Sequence, residues 1–119
     1  MTQNSYNPVL KWVGGKRQLL PILRLCVDTY SDKAKIEQFS YHEPFFGGGA
    51  LFFDLASRQK LSKSYINDVN RELIVMYDVI KSNDNSNKLL NEVLSLEELF
   101  NHSKTRDTLF SEWKKRFNQ

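Results

Sequence analysis

Cysteine is nearly absent from this 119-residue chain, and the single Cys26 excludes any internal disulfide framework. With Leu19, Ile22 and Leu23 it falls on the apolar side of a predicted helix, which reads as a buried thiol rather than a nucleophile. The two histidines, His42 and His102, have no companions at ligand spacing, so no zinc site is expected. Proline is scarce too: Pro8, Pro21 and Pro44 are the whole supply, and none adjoins another, which excludes any loop built on a Pro-Pro step within these residues. No apolar run approaches the ~20 residues that span a bilayer. Residues 1–9 lack the charged start, apolar stretch and small-residue site of a secretory signal, so a soluble, cytoplasmic chain with no membrane partner is expected. The positive excess is small, 17 Lys and Arg against 14 Asp and Glu, and does not by itself point to nucleic acid. Its distribution says slightly more. Lys11, Lys16, Arg17 and Arg24 gather near the start, and Arg106, Lys114, Lys115 and Arg116 near the end, where they can meet phosphates, although the second group reads first as a solvated helix face.

What is present is concentrated in three segments. Glu43-Pro44-Phe45-Phe46-Gly47-Gly48-Gly49 lies between a short half-buried strand over 39–43 and a helical pattern carried by Leu51, Phe52 and Leu55. Glycines at such a joint adopt positive φ cheaply and let a ligand approach the main chain. Lys11-Trp12-Val13-Gly14-Gly15-Lys16 lies upstream, and Tyr65-Ile66-Asn67-Asp68-Val69-Asn70 downstream, where a second short strand is expected to begin at Ile66 and end at Asp68. A carboxylate at that strand end can accept hydrogen bonds from the vicinal hydroxyls of a ribose, although Asp68 can also simply cap the helix that follows.

The type of cofactor follows by elimination. A dinucleotide fingerprint continuing from Gly47 and Gly49 needs a glycine where Phe52 stands, and a phosphate-binding loop around Gly15 and Lys16 needs glycine in place of Leu10 and Ser or Thr in place of Arg17. A nucleoside-type cofactor without a phosphate tail, held by an acid at each strand end, remains. S-adenosyl-L-methionine fits that description.

In order and spacing the three segments resemble the Dam-like DNA adenine N6-methyltransferases of the D12 class, over nearly the whole chain. The resemblance implies an α/β fold, a partial Rossmann-like S-adenosylmethionine-dependent methyltransferase fold with an incomplete sheet. It also implies that Trp12, Lys16 and Asp68 contact the cofactor while Glu43, Pro44, Phe45, Gly47 and Gly49 shape its pocket. In chemical terms Lys16 can pair with the ligand's carboxylate, and Trp12 offers an aromatic wall and an indole donor. Glu43 can hold the ligand's ammonium or orient nearby backbone amides. Double-stranded DNA is the implied partner, and direct attack of adenine N6 on the sulfonium methyl the implied reaction. The family's Asp-Pro-Pro-Tyr loop, which aligns the flipped adenine, has no counterpart here, so no catalytic residue is assigned in this chain and no metal is implied. The expectation is the cofactor-binding portion of an enzyme, inactive alone. Two alternatives are one chain of a split methyltransferase whose partner supplies that loop, and a non-catalytic remnant.

The remaining sequence sets the frame. A first helix is predicted over 17–30, with Pro21 near its first turn, then a polar segment over 31–38. Asn70 is the predicted N-cap of a helix over 71–81 with Leu73, Ile74, Tyr77 and Ile80 on one face. A loop over 82–87, rich in Asn, Asp and Ser, is expected to divide a cofactor-binding part, 1–81, from a helical segment, 82–119, leading toward a DNA-recognition region. Helices follow over 88–94 and 105–117, with a capping-box signature at Ser95 and Glu98 and an apolar stripe of Leu109, Phe110, Trp113 and Phe117 that is expected to be exposed in isolation.

Overall fold

A computed structural model describes residues 5–102 and 106–119. They form two compact units, Met1–Ile74 and Val75–Gln119. The first contains a short 3₁₀ turn, Lys16–Leu19, followed by α1 (Leu20–Ala34), β1 (Phe39–Glu43), α2 (Ala50–Ser57) and β2 (Leu61–Ile66). Helix α3 (Arg71–Lys81) crosses from the first unit into the second, which also holds α4 (Asn83–His102) and α5 (Arg106–Phe117).

β1 and β2 pair in parallel, with Tyr41 opposite Ser64, His42 opposite Tyr65 and Glu43 opposite Ile66. A parallel pair needs a crossover, and α2 supplies it, so the architecture is mixed helix and strand around a small two-stranded parallel sheet. Along β1 the side chains alternate: Tyr41 and Glu43 are buried, while Ser40 and His42 face out. The buried face meets an aromatic cluster in which Phe46 packs edge-on against Phe52, centroids 5.5 Å apart, and Phe52 against Phe53 at 5.2 Å. Phe46 and Leu55 are the largest fully buried side chains. On the open face the His42 ring stacks on Tyr65 at 4.6 Å. Two arginines tie α1 to α2: Arg24 donates to Asp54, and Arg58 makes a forked pair with Asp28 at 2.9 and 3.0 Å.

Several boundaries depart from the sequence reading. β2 starts at Leu61 rather than Ile66 and stops at Ile66, so Asp68 lies two residues past the strand. Leu61-Ser62-Lys63-Ser64 lacks the apolar alternation that signals a strand, and pairing with β1 supplies what propensity does not. α1 continues through Ser31 to Ala34, until Lys35 turns left-handed at φ 53° and ends it. Cys26 is exposed rather than buried, as are Leu19, Ile22 and Leu25 beside it. The expected loop over 82–87 is mostly helix, because α4 starts at Asn83, with Asp84 in its first turn where the helix dipole favours negative charge. Ser95, expected at a helix start, lies inside α4 and returns its hydroxyl to the Asn91 carbonyl at 2.9 Å. In the second unit Trp113 packs on Phe100 with centroids 6.1 Å apart, while Phe110 and Phe117 are exposed.

Candidate functional site

The loop after β1 extends the parallel ladder before it turns. The Asn67 amide donates to the Glu43 carbonyl and the Phe46 amide to the Asn67 carbonyl, each at 2.9 Å, which fixes the chain on both sides of Pro44 and Phe45. Phe46 then drops into the core and the glycines follow. Gly47 and Gly49 have φ of 55° and 75°, a region that costs any L side chain strain. Close packing adds to the requirement. A Cβ on Gly49 would lie 2.5 Å from Phe46 Cζ, and one on Gly47 would lie 3.2 Å from Trp12 Cδ1. On Gly48 a Cβ would meet Trp12 Cβ at 3.1 Å and the Leu10 carbonyl at 3.4 Å. The Trp12 segment therefore lies directly against the glycine turn, across more than thirty positions of sequence.

Past Trp12 the backbone reverses, with the Gly15 amide on the Trp12 carbonyl at 3.1 Å, and Lys16 is carried toward the end of β1. Its ammonium donates to Glu43 Oε1 at 2.5 Å and to the Phe45 carbonyl. The other carboxylate oxygen, Oε2, accepts the Tyr41 hydroxyl. Glu43 is 7% exposed, so this is a charge held inside the unit with a donor on each oxygen. Burial, then the hydrogen bond and charge of Glu43, pushes the Tyr41 phenol far above its usual range, and the group stays a donor.

Asp68 performs the parallel task from β2. Oδ2 accepts the Gly47 amide at 2.8 Å and Oδ1 the Asn70 amide at 2.9 Å. These two backbone donors, Asn70 first, hold the carboxyl below its ordinary value, and the charge of Lys16 adds to the effect. Asn70 caps α3 as expected, its Oδ1 taking the Leu73 amide at 3.0 Å.

Of the residues singled out in the sequence, Trp12, Lys16, Glu43, Gly47, Gly49 and Asp68 converge on one turn. Pro44 and Phe45 lie on its outer side, and the Phe45 ring is 74% exposed, lining no enclosed wall. Lys16 and Glu43, read separately as contacts to opposite ends of a ligand, are bonded to each other. A cavity of about 620 Å³ opens beside Trp12, Gly14, Gly15 and Gly48; Trp12 alone of the predicted contact residues lines it. Sequence reasoning missed Tyr41 and Phe46. The signal for Tyr41 was its position two residues before Glu43, the same strand face. Among the described residues no three His, Cys, Asp or Glu side chains gather as a metal site.

The model of the D12 class N6 adenine-specific DNA methyltransferases matches residues 12–119, from Trp12 of this turn onward. The chain belongs to that family. Among curated proteins it is similar to the type II methyltransferase M1.LlaDCHI of Lactococcus lactis subsp. cremoris, 44% identical over 86 residues that cover 70% of this chain and 26% of the relative. It is also similar to the type II methyltransferase M.MjaIII of Methanocaldococcus jannaschii, 36% identical over 93 residues, 78% of this chain and 31% of the relative. The chain thus spans less than a third of the length of either relative. No solved structure matches it. Among its described residues no helix is long and apolar enough to cross a membrane.

Proposed function

We propose that this chain is the S-adenosylmethionine-binding portion of a DNA adenine N6-methyltransferase acting on double-stranded DNA. The observation that carries the reading is the convergence of three distant segments on one turn: Trp12 against Gly47, Lys16 on Glu43, and Asp68 on the Gly47 amide. Their chemistry suits the ligand. A carboxylate offers about four lone-pair directions, and Asp68 has committed one on each oxygen to the main chain, leaving capacity for ribose hydroxyls. Lys16 and Glu43 present a cation beside an anion, complementary to the zwitterionic end of an amino acid. Trp12 provides a flat apolar wall, and Gly47 and Gly49 keep side chains out of the turn. Bound S-adenosylmethionine supplies a methyl group already activated on a positively charged sulfur. The chain's own residues bind and orient the ligand. Adenine alignment falls to an Asp-Pro-Pro-Tyr loop outside these 119 residues, on a longer protein or a complementing chain, so methyl transfer is expected only when that loop is present.

On this reading residues 1–81 are the cofactor-binding part of a Rossmann-like domain and 82–119 lead toward DNA recognition, in a cytoplasmic protein of a restriction-modification type. Calorimetric titration with S-adenosylmethionine tests it. Wild-type chain binds, and Asp68→Ala abolishes binding while the circular dichroism spectrum is kept. Unchanged affinity in Asp68→Ala would remove Asp68 from the site, and no heat with folded wild type would end the proposal.

A further inference from the structure

We propose that Tyr41, outside all three sequence motifs, is a positioning residue of this site: its hydroxyl fixes the Glu43 carboxylate, and through it Lys16, for the amino-acid end of S-adenosylmethionine. The inference rests on the cofactor-binding reading given above and assigns a role that reading leaves empty.

Four groups are linked in series, with two donors converging on the Glu43 carboxylate. The Tyr41 hydroxyl donates to Glu43 Oε2, Oε1 accepts from the Lys16 ammonium, and the same ammonium donates to the Phe45 carbonyl at the start of the glycine turn. The series begins in the core and ends at the turn. Tyr41 is buried against the face of α2, its ring 6.2 Å from that of Phe52, and it lies two positions before Glu43 on the inner face of β1. Strand geometry therefore places the phenol beside the carboxylate whatever the loop does. The residue opposite Glu43 in the ladder is Ile66, which has no polar side chain to offer the carboxylate. Burial and the neighbouring carboxylate keep the phenol neutral, so it stays a donor to Glu43 Oε2. Lys16 has three N–H donors; two are directed to Glu43 and Phe45, which aims the third. Removing the phenol oxygen leaves a buried carboxylate oxygen without a donor. The group must turn to find one, and Lys16 turns with it.

Tyr41→Phe keeps the ring and its packing on Phe52, so the variant is expected to fold. The test compares two ligands by calorimetry on wild-type and Tyr41→Phe chains: S-adenosylmethionine, and 5′-methylthioadenosine, which shares the nucleoside and sulfur but lacks the amino-acid end. The role predicts that Tyr41→Phe weakens S-adenosylmethionine about tenfold and leaves methylthioadenosine within about twofold, so that the preference for the amino-acid end collapses. Equal loss for both ligands would make Tyr41 a structural residue only, and unchanged affinity for both would remove it from the site; either overturns the inference with the cofactor reading intact. If folded wild type binds neither ligand, the cofactor reading itself fails and this inference falls with it.

Discussion

The first compact unit buries a charged, hydrogen-bonded network, whereas α4 and α5 of the second bury no residue at all. In Met1–Ile74 the inner face of β1 ends in Glu43, held by Tyr41 and Lys16, and the following turn is pinned by Asp68. In Val75–Gln119 no residue of α4 or α5 is buried, and Leu90, Val93, Leu94, Leu96, Leu99, Phe110 and Phe117 are exposed. A buried, fully hydrogen-bonded polar network tolerates few arrangements, because each unmade bond costs the desolvation of its group. An amphipathic helix pair is set by periodicity and tolerates many. Closely specified side-chain geometry is thus concentrated in the first unit.

Breaking the turn is expected to give the largest effect. Gly49→Ala places a Cβ 2.5 Å from Phe46 Cζ and 3.0 Å from Phe53 Cε2 at a φ of 75°, in contact with one of the two largest fully buried side chains. A loss of about 3 kcal/mol or more is expected in thermal or denaturant unfolding. Gly14→Ala is the control. Its φ is 74°, but nothing lies within 4 Å, so only the conformational cost of about 1 kcal/mol remains. Equal losses would show that packing against Phe46 does not shape the turn.

An intermediate effect is expected from Asp68→Asn, which loses one acceptor and about 1 kcal/mol near neutral pH. The dependence on pH has a definite sign. The folded Asp68 carboxyl lies below its ordinary value of 3.8, so its contribution is present above that pH and disappears as pH falls through the folded value. Wild type therefore loses stability on acidification, and Asp68→Asn loses less, the two curves converging once pH has fallen below the folded value. Asp28, lowered by its hydrogen bonds to Arg58, keeps some acid sensitivity in both. Parallel curves would mean that the Gly47 and Asn70 amides do not favour the ionised form.

The smallest change in stability is expected in the second unit. Phe117 is 83% exposed, and Phe117→Ser should alter unfolding by less than about 0.5 kcal/mol while reducing self-association in sedimentation velocity. A loss comparable with that of Gly49→Ala would contradict the contrast between the units.

The contrast also marks where sequence was informative. β1 and α3 were legible at their full lengths because alternation and an Asn70 cap are local signals. β2 was almost wholly hidden: the expected strand over 66–68 shares only Ile66 with it, since Lys63 and Ser64 take strand form through pairing with β1. The 82–87 segment misled through its Asn and Ser content, which helix starts and loops share. Cys26 was misread for a different reason: helical spacing shows which residues share a face but not whether anything covers it. At the site, motif spacing brought Trp12, Lys16, Glu43, Gly47, Gly49 and Asp68 to one turn. It did not show that Lys16 and Glu43 bond to each other, nor that Tyr41 completes the pair. Those are facts of a strand face meeting a distant turn.

The chain contains two tryptophans, one in each unit, and their indole N–H signals in a nitrogen-15 correlation spectrum offer the most direct test of the central claim. Titration with S-adenosylmethionine is predicted to move the Trp12 signal, identified by Trp12→Phe, and to leave that of Trp113 in place. A Trp12 signal that stays fixed at saturating ligand, or a response confined to Trp113, would contradict a cofactor site built on the glycine turn.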